Sequence, residues 1–280
     1  MKIKIWGCRG SIATPGQHTL RYGGNSTCLE IRPKEGGVII VDAGSGIRLL
    51  GNRLLQEKEI TEIYMILTHS HWDHLSGFPF FVPAYSDHYK INVYGGPKAQ
   101  GALRRYLEDQ MRAPYFPIDF SVMKASFSFG YECPDMGSVG LIDFYPIPLS
   151  HPNGGYGFKF AKQDKSFVFL TDNELDFQHP DGKTRQEYTD FCSGTNLLIH
   201  DAQYTDEEYR SKRGWGHTTY TSAVQLAMDS GVGKLVLFHH DPDRTDDDLD
   251  RQLEHCRDII GKTGGSMECV AASEGMEINL

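Results

Sequence analysis

Short apolar runs recur along this chain, and polar residues close many of them. Residues 38–41 (Val-Ile-Ile-Val), 63–67 (Ile-Tyr-Met-Ile-Leu), 167–170 (Phe-Val-Phe-Leu) and 235–238 (Leu-Val-Leu-Phe) are the purest. Runs this short with no polar break predict strands covered on both faces. Further strands are predicted over 3–6, 27–32, 91–94, 141–149, 156–160 and 196–199, with 234 joining the run at 235–238. Helical patterns lie between some of them, at 46–56, 98–111, 221–230 and 246–260. Thr245 before Asp246, Asp247 and Asp248 gives the last helix a capped, acid-rich first turn that reads as a solvated helix start. Early strands follow one another at hairpin-like spacing and later ones alternate with helices. That order predicts stacked sheets with helices outside them, and not an alternating doubly wound fold.

With no linker, low-complexity stretch or repeat in view, one domain over residues 1–280 is expected. The 39% hydrophobic content and the scattered Gly and Pro mark a globular chain. No apolar run approaches the roughly 20 residues that span a bilayer. The opening Met1-Lys2-Ile3-Lys4-Ile5-Trp6-Gly7 alternates like a strand and lacks a signal peptide's apolar core, so a cytoplasmic protein without membrane attachment is expected. Cysteines 8, 28, 133, 192, 256 and 269 form no C-x-x-C pair, which leaves a zinc ribbon or thioredoxin-type site unsupported and suggests small, reduced, buried residues. A net charge of −9 without a long basic run argues against a broad nucleic-acid surface but allows a local cationic pocket.

The chemistry concentrates after the strand at 63–67, in Thr68-His69-Ser70-His71-Trp72-Asp73-His74. Side chains alternate along extended backbone, so His69 and His71 project to one side and can share a metal ion. Asp73 and His74 fall where the chain turns towards a helix and can reach a second point nearby. Other apolar strands also end in ligand-type residues: Asp42 after 38–41, His151 after 144–149, Asp172 after 167–170, and His239-His240 after 235–238. Such strand ends would assemble at one edge of the sheets. The stretch 114–137, with Tyr115, Phe116, Pro117, Phe127, Phe129 and Tyr131, is the least regular; core packing is expected for most of its aromatics, with a wall beside the site as the alternative.

His69-x-His71-x-Asp73-His74, with Asp42 before it and His151, Asp172 and His239 after it, resembles the metallo-β-lactamase superfamily over essentially the whole chain. The resemblance implies a four-layer αββα sandwich, an α/β fold, with two divalent metal ions on its edge. It implies that His69, His71 and His151 hold the first ion, that Asp73, His74 and His239 hold the second, and that Asp172 bridges them while Asp42 orients ligands. His240 competes with His239 for the last place; His239 is favoured because it directly follows the strand. Three imidazoles and a carboxylate suit Zn²⁺, and the more oxygen-rich second set also suits Mn²⁺ or Fe²⁺.

Leu197-Leu198-Ile199-His200-Asp201-Ala202 and Gly216-His217-Thr218-Thr219 resemble segments of the phosphodiesterase branch that includes ribonuclease Z. This implies that His217 binds the scissile phosphate or protonates the leaving oxygen and that Asp201 orients it; Asp201 departs from the glutamate of ribonuclease Z. The resemblance also implies Asp73 in the catalytic set. The tRNA-gripping arm of ribonuclease Z would lie between His151 and Asp172, where this chain has room only for a tight hairpin. The expectation is therefore a dinuclear hydrolase of a small anionic phosphodiester, such as a cyclic nucleotide, or of a short single strand. It does not include tRNA, and it leaves a homodimer open. A thioester or lactone hydrolase of the glyoxalase II-like type is the alternative, and the Gly-His-Thr-Thr segment counts against it. A non-catalytic metal-binding protein would need damaged ligands, and none is seen.

Overall fold

The computed structural model describes residues 1–33, 37–96, 98, 102–130, 137–139 and 142–280. The first half runs β1 (Lys2–Gly7), β2 (Cys28–Arg32), β3 (Val38–Val41), α1 (Ile47–Leu54), β4 (Glu62–Leu67), α2 (Trp72–Leu75), β5 (Lys90–Gly95), α3 (Leu103–Asp109) and β6 (Ser126–Phe129). It continues through β7 (Gly137–Val139), β8 (Ile142–Pro148), β9 (Tyr156–Lys162), β10 (Lys165–Leu170), α4 (Arg185–Cys192), β11 (Leu197–Asp201) and α5 (Asp206–Lys212). The last elements are α6 (Tyr220–Asp229), β12 (Lys234–Phe238), α7 (Asp246–Lys262), β13 (Glu268–Ala271) and β14 (Glu277–Asn279).

Among the described residues the strands form two sheets, ordered β14-β1-β2-β3-β4-β5-β6 and β13-β12-β11-β10-β9-β8-β7. Strands β3 to β6 are parallel, as are β10 to β13, while β1, β2 and β3, and β7 to β10, pair antiparallel. The period-2 alternation of each apolar strand sorts its side chains into different layers. Ile39 and Val41 of β3 and Ile66 of β4 meet Phe167 and Phe169 of β10 and Val236 and Phe238 of β12 between the sheets. From the same strands, Val38, Ile40, Ile63, Met65 and Leu67 face α1 and α3 on one outer side. Val168, Leu170, Leu235 and Leu237 pack with α4, α6 and α7 on the other. Each fully buried Val, Ile, Leu or Phe contributes about 1.5–3 kcal/mol of transfer free energy. The result is the expected order of helix, sheet, sheet and helix, an α/β sandwich.

The predicted helix at 98–111 is described as Leu103–Asp109, with residues 99–101 outside the described residues, as are Leu141, Tyr131 and Cys133. Two helices that hydrophobic periodicity does not reveal are α4 and α5. Helix α5 buries none of its residues and α4 only Tyr188 and Cys192. Capping boxes mark both starts, Thr184 with Glu187 and Thr205 with Glu208. The acid run opening α7 needs correction: Asp246 is buried and accepts the Arg21 amide at 2.9 Å, so it anchors the 21–22 segment instead of standing in solvent. Phe116, Phe120, Phe127 and Phe129 pack on the outer face of the first sheet, whereas Tyr115 is exposed. The cysteines among the described residues are free and buried. No helix among these residues is long and apolar enough to cross a membrane.

Candidate metal centre

Because β3 and β4 run parallel, and β10, β11 and β12 do likewise, the residues at their C-terminal ends come out on one edge of each sheet. Asp42 and His239 directly follow their strands and Asp172 comes one residue past Leu170; each has a positive φ, Asp42 63°, His239 59° and Asp172 51°. Left-handed backbone at a non-glycine residue is held against a cost of about 1–3 kcal/mol and tends to cluster where function needs it.

Among the described residues three groups result, each with its ligand-type atoms within 4.8 Å of one another: His69, His71, His151 and Asp172; Asp73, His74, Asp172 and His239; and Asp172, Asp201, His217 and His239. The first two are the donor sets expected from the sequence. Asp172 belongs to both. Its Oδ2 lies 3.6 Å from His69 Nε2 and 3.7 Å from His151 Nε2, while its Oδ1 lies 3.2 Å from His74 Nε2 and 3.1 Å from His239 Nε2. Asp73 Oδ2 is 3.2 Å from both His74 Nε2 and His239 Nε2 and accepts the Ser11 amide at 2.8 Å.

The outer nitrogen of several rings is tied to an acceptor. His74 Nδ1 donates to Asp42 Oδ2 at 2.8 Å, His239 Nδ1 to Gln203 Oε1 at 2.9 Å, and His151 Nδ1 to the Gly216 carbonyl at 3.0 Å. Asp42 is itself fixed by the amide and hydroxyl of Thr68. Once the outer nitrogen holds the proton, the inner one presents a lone pair to the centre. Lone pairs of imidazole and carboxylate then converge at distances where they repel, and Nε2 of both His69 and His74 is buried without a hydrogen-bond partner. A divalent cation in each set removes both problems, so these residues fit the ions that the sequence leads one to expect.

The titration behaviour agrees. Burial pushes the His151 imidazole down to about 4, against the pull of Asp172, and lowers His69 and His71 as well. Burial also opposes charge on His239, yet the Asp172 carboxylate, aided by Asp73, lifts it to about 9; His74 is raised for the same reason. The pocket around Asp73 and Asp172 therefore calls for positive charge, which a proton or a metal ion can supply.

His217 stands beside both sets. Its Nδ1 is 2.7 Å from Asp201 Oδ2 and 4.0 Å from Asp172 Oδ2, and its ring stacks on His239 at 4.8 Å. The shorter aspartate side chain at 201 thus reaches the imidazole. His240, the rival of His239, turns away: its Nε2 meets the Ala272 carbonyl at 2.9 Å. All the residues singled out from the sequence, His69, His71, Asp73, His74, His151, Asp172, Asp201, His217 and His239, come together here.

Several supporting residues escape sequence reasoning. Buried Glu174 accepts the amides of Gly214 (2.6 Å) and Gly216 (2.7 Å), the Tyr209 hydroxyl (2.7 Å) and His179 Nε2 (3.1 Å). It thereby shapes the loop that carries His217. Gly216 has φ +96°, and a Cβ there would lie 2.0 Å from His151 Nδ1, so the loop can approach His151 only through glycine. The available signal for Glu174 was the polar run Thr171-Asp172-Asn173-Glu174 after an apolar strand; Gln203 and Thr68 offered none.

Residues 38–240 match the family profile described as the beta-lactamase superfamily domain. A ribonuclease Z of Porphyromonas gingivalis is 22% identical over 323 residues, covering 99% of this chain and 98% of that protein. Among solved structures, a diphosphatase from the PhnP family superposes with a TM-score of 0.68 at 17% identity, covering 100% of this chain and 97% of that one. The short form of human tRNase Z superposes with a TM-score of 0.64 at 19% identity, covering 100% and 99%.

Proposed function

This chain belongs to the beta-lactamase superfamily, and from that premise we propose that it is a dinuclear metal-dependent phosphodiesterase acting on a small or single-stranded substrate. It is a hydrolase of the ribonuclease Z-like branch. The observation that carries the phosphodiester reading is the His217–Asp201 pair, which adds an acid–base group beside two complete donor sets.

His69, His71, His151 and Asp172 would hold one ion, and Asp73, His74, His239 and Asp172 the other. Divalent cations bound there would lower the pKa of water and offset charge on phosphoryl oxygens, with Zn²⁺ the best match to the donors and Mn²⁺ or Fe²⁺ also suited. Asp73, oriented by the Ser11 amide, keeps its carboxylate ionised despite burial because His74 and His239 sit against it, so it is available both as a ligand and as a hydrogen-bond acceptor that orients the attacking water. His217 holds its Nδ1 proton on Asp201 and offers Nε2 to the leaving oxygen, the placement of a general acid.

Two features support small substrates such as cyclic nucleotides. Strands β9 and β10 are joined by a two-residue turn, Gln163-Asp164, so no arm extends between His151 and Asp172. The chain is also acidic, at −9, which opposes long-range attraction of a polyanion. The name of the P. gingivalis relative favours a second reading, endonucleolytic processing of RNA. We infer a location in the cytoplasm and leave open assembly as a homodimer. Metal analysis with a panel of bis-p-nitrophenyl phosphate, cyclic nucleotides and an acyl thioester tests the proposal. Turnover of the thioester alone would reverse it in favour of the glyoxalase II-like alternative.

A further inference from the structure

A groove of about 570 Å³ opens directly beside the donor sets, and the mechanism above makes no use of it. Ser70, between His69 and His71, lies on its edge. Aromatic rings line it from three segments: Trp72 on α2, Phe80 just beyond, Tyr106 on α3, and Tyr115 with Phe116 after α3. Trp72 and Tyr115 are each 80% exposed and Phe80 is 54% exposed. Apolar rings left in water on a surface that also carries the chemistry mark a place where a ligand supplies the missing cover.

We propose that this groove seats the nucleobase of the substrate, so that the substrate is a nucleoside phosphodiester and not a simple alkyl one. The inference rests on the phosphodiesterase reading and adds the group that gives it specificity. The occupant follows from the lining. Among the described residues no lysine, arginine or histidine lines the groove, so it is not a seat for further phosphates. Its volume lies within the few hundred Å³ typical of small-ligand sites, enough for a base and sugar. Exposed faces of Trp and Tyr stack on any base, because every base has a π-face. Gln110, also on the lining, carries a buried amide nitrogen without an acceptor, which a ring nitrogen or carbonyl of a base could satisfy. Since Ser70 connects the groove to His69 and His71, a base seated there leaves its phosphate within reach of the donor sets.

The test compares adenosine 2′,3′-cyclic phosphate with glycerol 1,2-cyclic phosphate, which share the strained ring and an alkoxide leaving group but differ in the base. The zinc-loaded enzyme should prefer the adenosine compound by about 10–100-fold in kcat/KM, the scale of one or two stacking contacts. In Trp72→Ala/Tyr115→Ala that preference should collapse, mainly through KM, while Trp72→Phe/Tyr115→Phe should keep most of it. Zinc content of each variant shows whether the neighbouring ligands survive. An unchanged preference in the alanine variant, or none in the wild type, overturns the proposal. So does a wild-type dimer that the alanine variant dissociates, since the groove would then hold a second copy. If neither cyclic phosphate is turned over, the phosphodiesterase reading itself fails; calorimetric titration with adenosine 5′-monophosphate then decides on the groove alone. Binding that the alanine variant loses upholds it, and equal or absent binding rejects it.

Discussion

Glu174 Oε2 accepts the backbone N–H of Gly216 at 2.7 Å, and through that one residue it serves both halves of the site. The Gly216 carbonyl takes the Nδ1 proton of His151, while the next residue, His217, pairs with Asp201. A carboxylate that touches no donor set therefore fixes a ring of one set and the loop that carries His217 beside it.

Glu174→Gln is the sharpest probe of this arrangement, because it keeps the shape and removes one acceptor oxygen. At least one of the two glycine amides would face an NH₂ group, and a buried donor left unpaired costs about 1–3 kcal/mol. The variant's unfolding free energy should fall by that amount, read as a lower midpoint in thermal and denaturant melts. It should also lose kcat more than it raises KM, with zinc still bound at saturation. Unchanged stability together with wild-type kcat would show that the loop holds its shape without Glu174.

Metal content should separate Asp172 from Asp42. Asp172 contributes an oxygen to each set, so Asp172→Ala should bind fewer than two ions even at saturating metal and lose activity. Of the donor-set residues Asp42 touches only His74, at its outer nitrogen, and Asp42→Asn should weaken affinity by about 10–100-fold while still reaching two ions at saturation. Elemental analysis across a metal titration distinguishes them. A full complement of two ions in Asp172→Ala would contradict a shared carboxylate.

The fold and the donor sets were legible in the sequence for one physical reason. Strands buried on both faces must be apolar throughout, so a histidine or aspartate within two residues of Val41, Leu67, Leu170 or Phe238 stands out against its background. Residues whose role arises from distant contacts have no such background. Glu174 meets Gly216 across 42 positions and Gln203 meets His239 across 36, and a glutamate or glutamine in a polar loop looks the same whether or not it does so. Helix α5 was hidden for the converse reason: with none of its residues buried, it carries no apolar stripe, and only its capping box betrays it.

Precursor tRNA should be a poor substrate. The Gln163-Asp164 turn presents no surface between His151 and Asp172 to hold a folded RNA, and the acidic chain repels it at a distance. Cleavage assays at equal enzyme concentration should give lower kcat/KM on precursor tRNA than on cyclic nucleotides. A reversed order, with cutting at the mature 3′ boundary, would establish the RNA-processing reading in its place.

His217 separates phosphodiester from thioester chemistry. It lies outside the His69 and His74 donor sets, although its ring stacks on His239 and its Nδ1 approaches Asp172, so His217→Ala should leave two ions bound. As a general acid it matters in proportion to how badly the leaving oxygen needs a proton. On a cyclic nucleotide, whose leaving group is an alkoxide, kcat should fall by about 10²–10⁴-fold. With bis-p-nitrophenyl phosphate the departing p-nitrophenolate is stable without protonation, and the loss should be much smaller. Asp201→Asn should show the same leaving-group dependence in weaker form, since it alters the partner of Nδ1 and leaves the imidazole in place. Equal losses on both substrates would assign His217 to binding the phosphate and not to proton donation. No loss on either would remove the residue pair on which the phosphodiester reading rests, and the thioester hydrolase reading would then take its place.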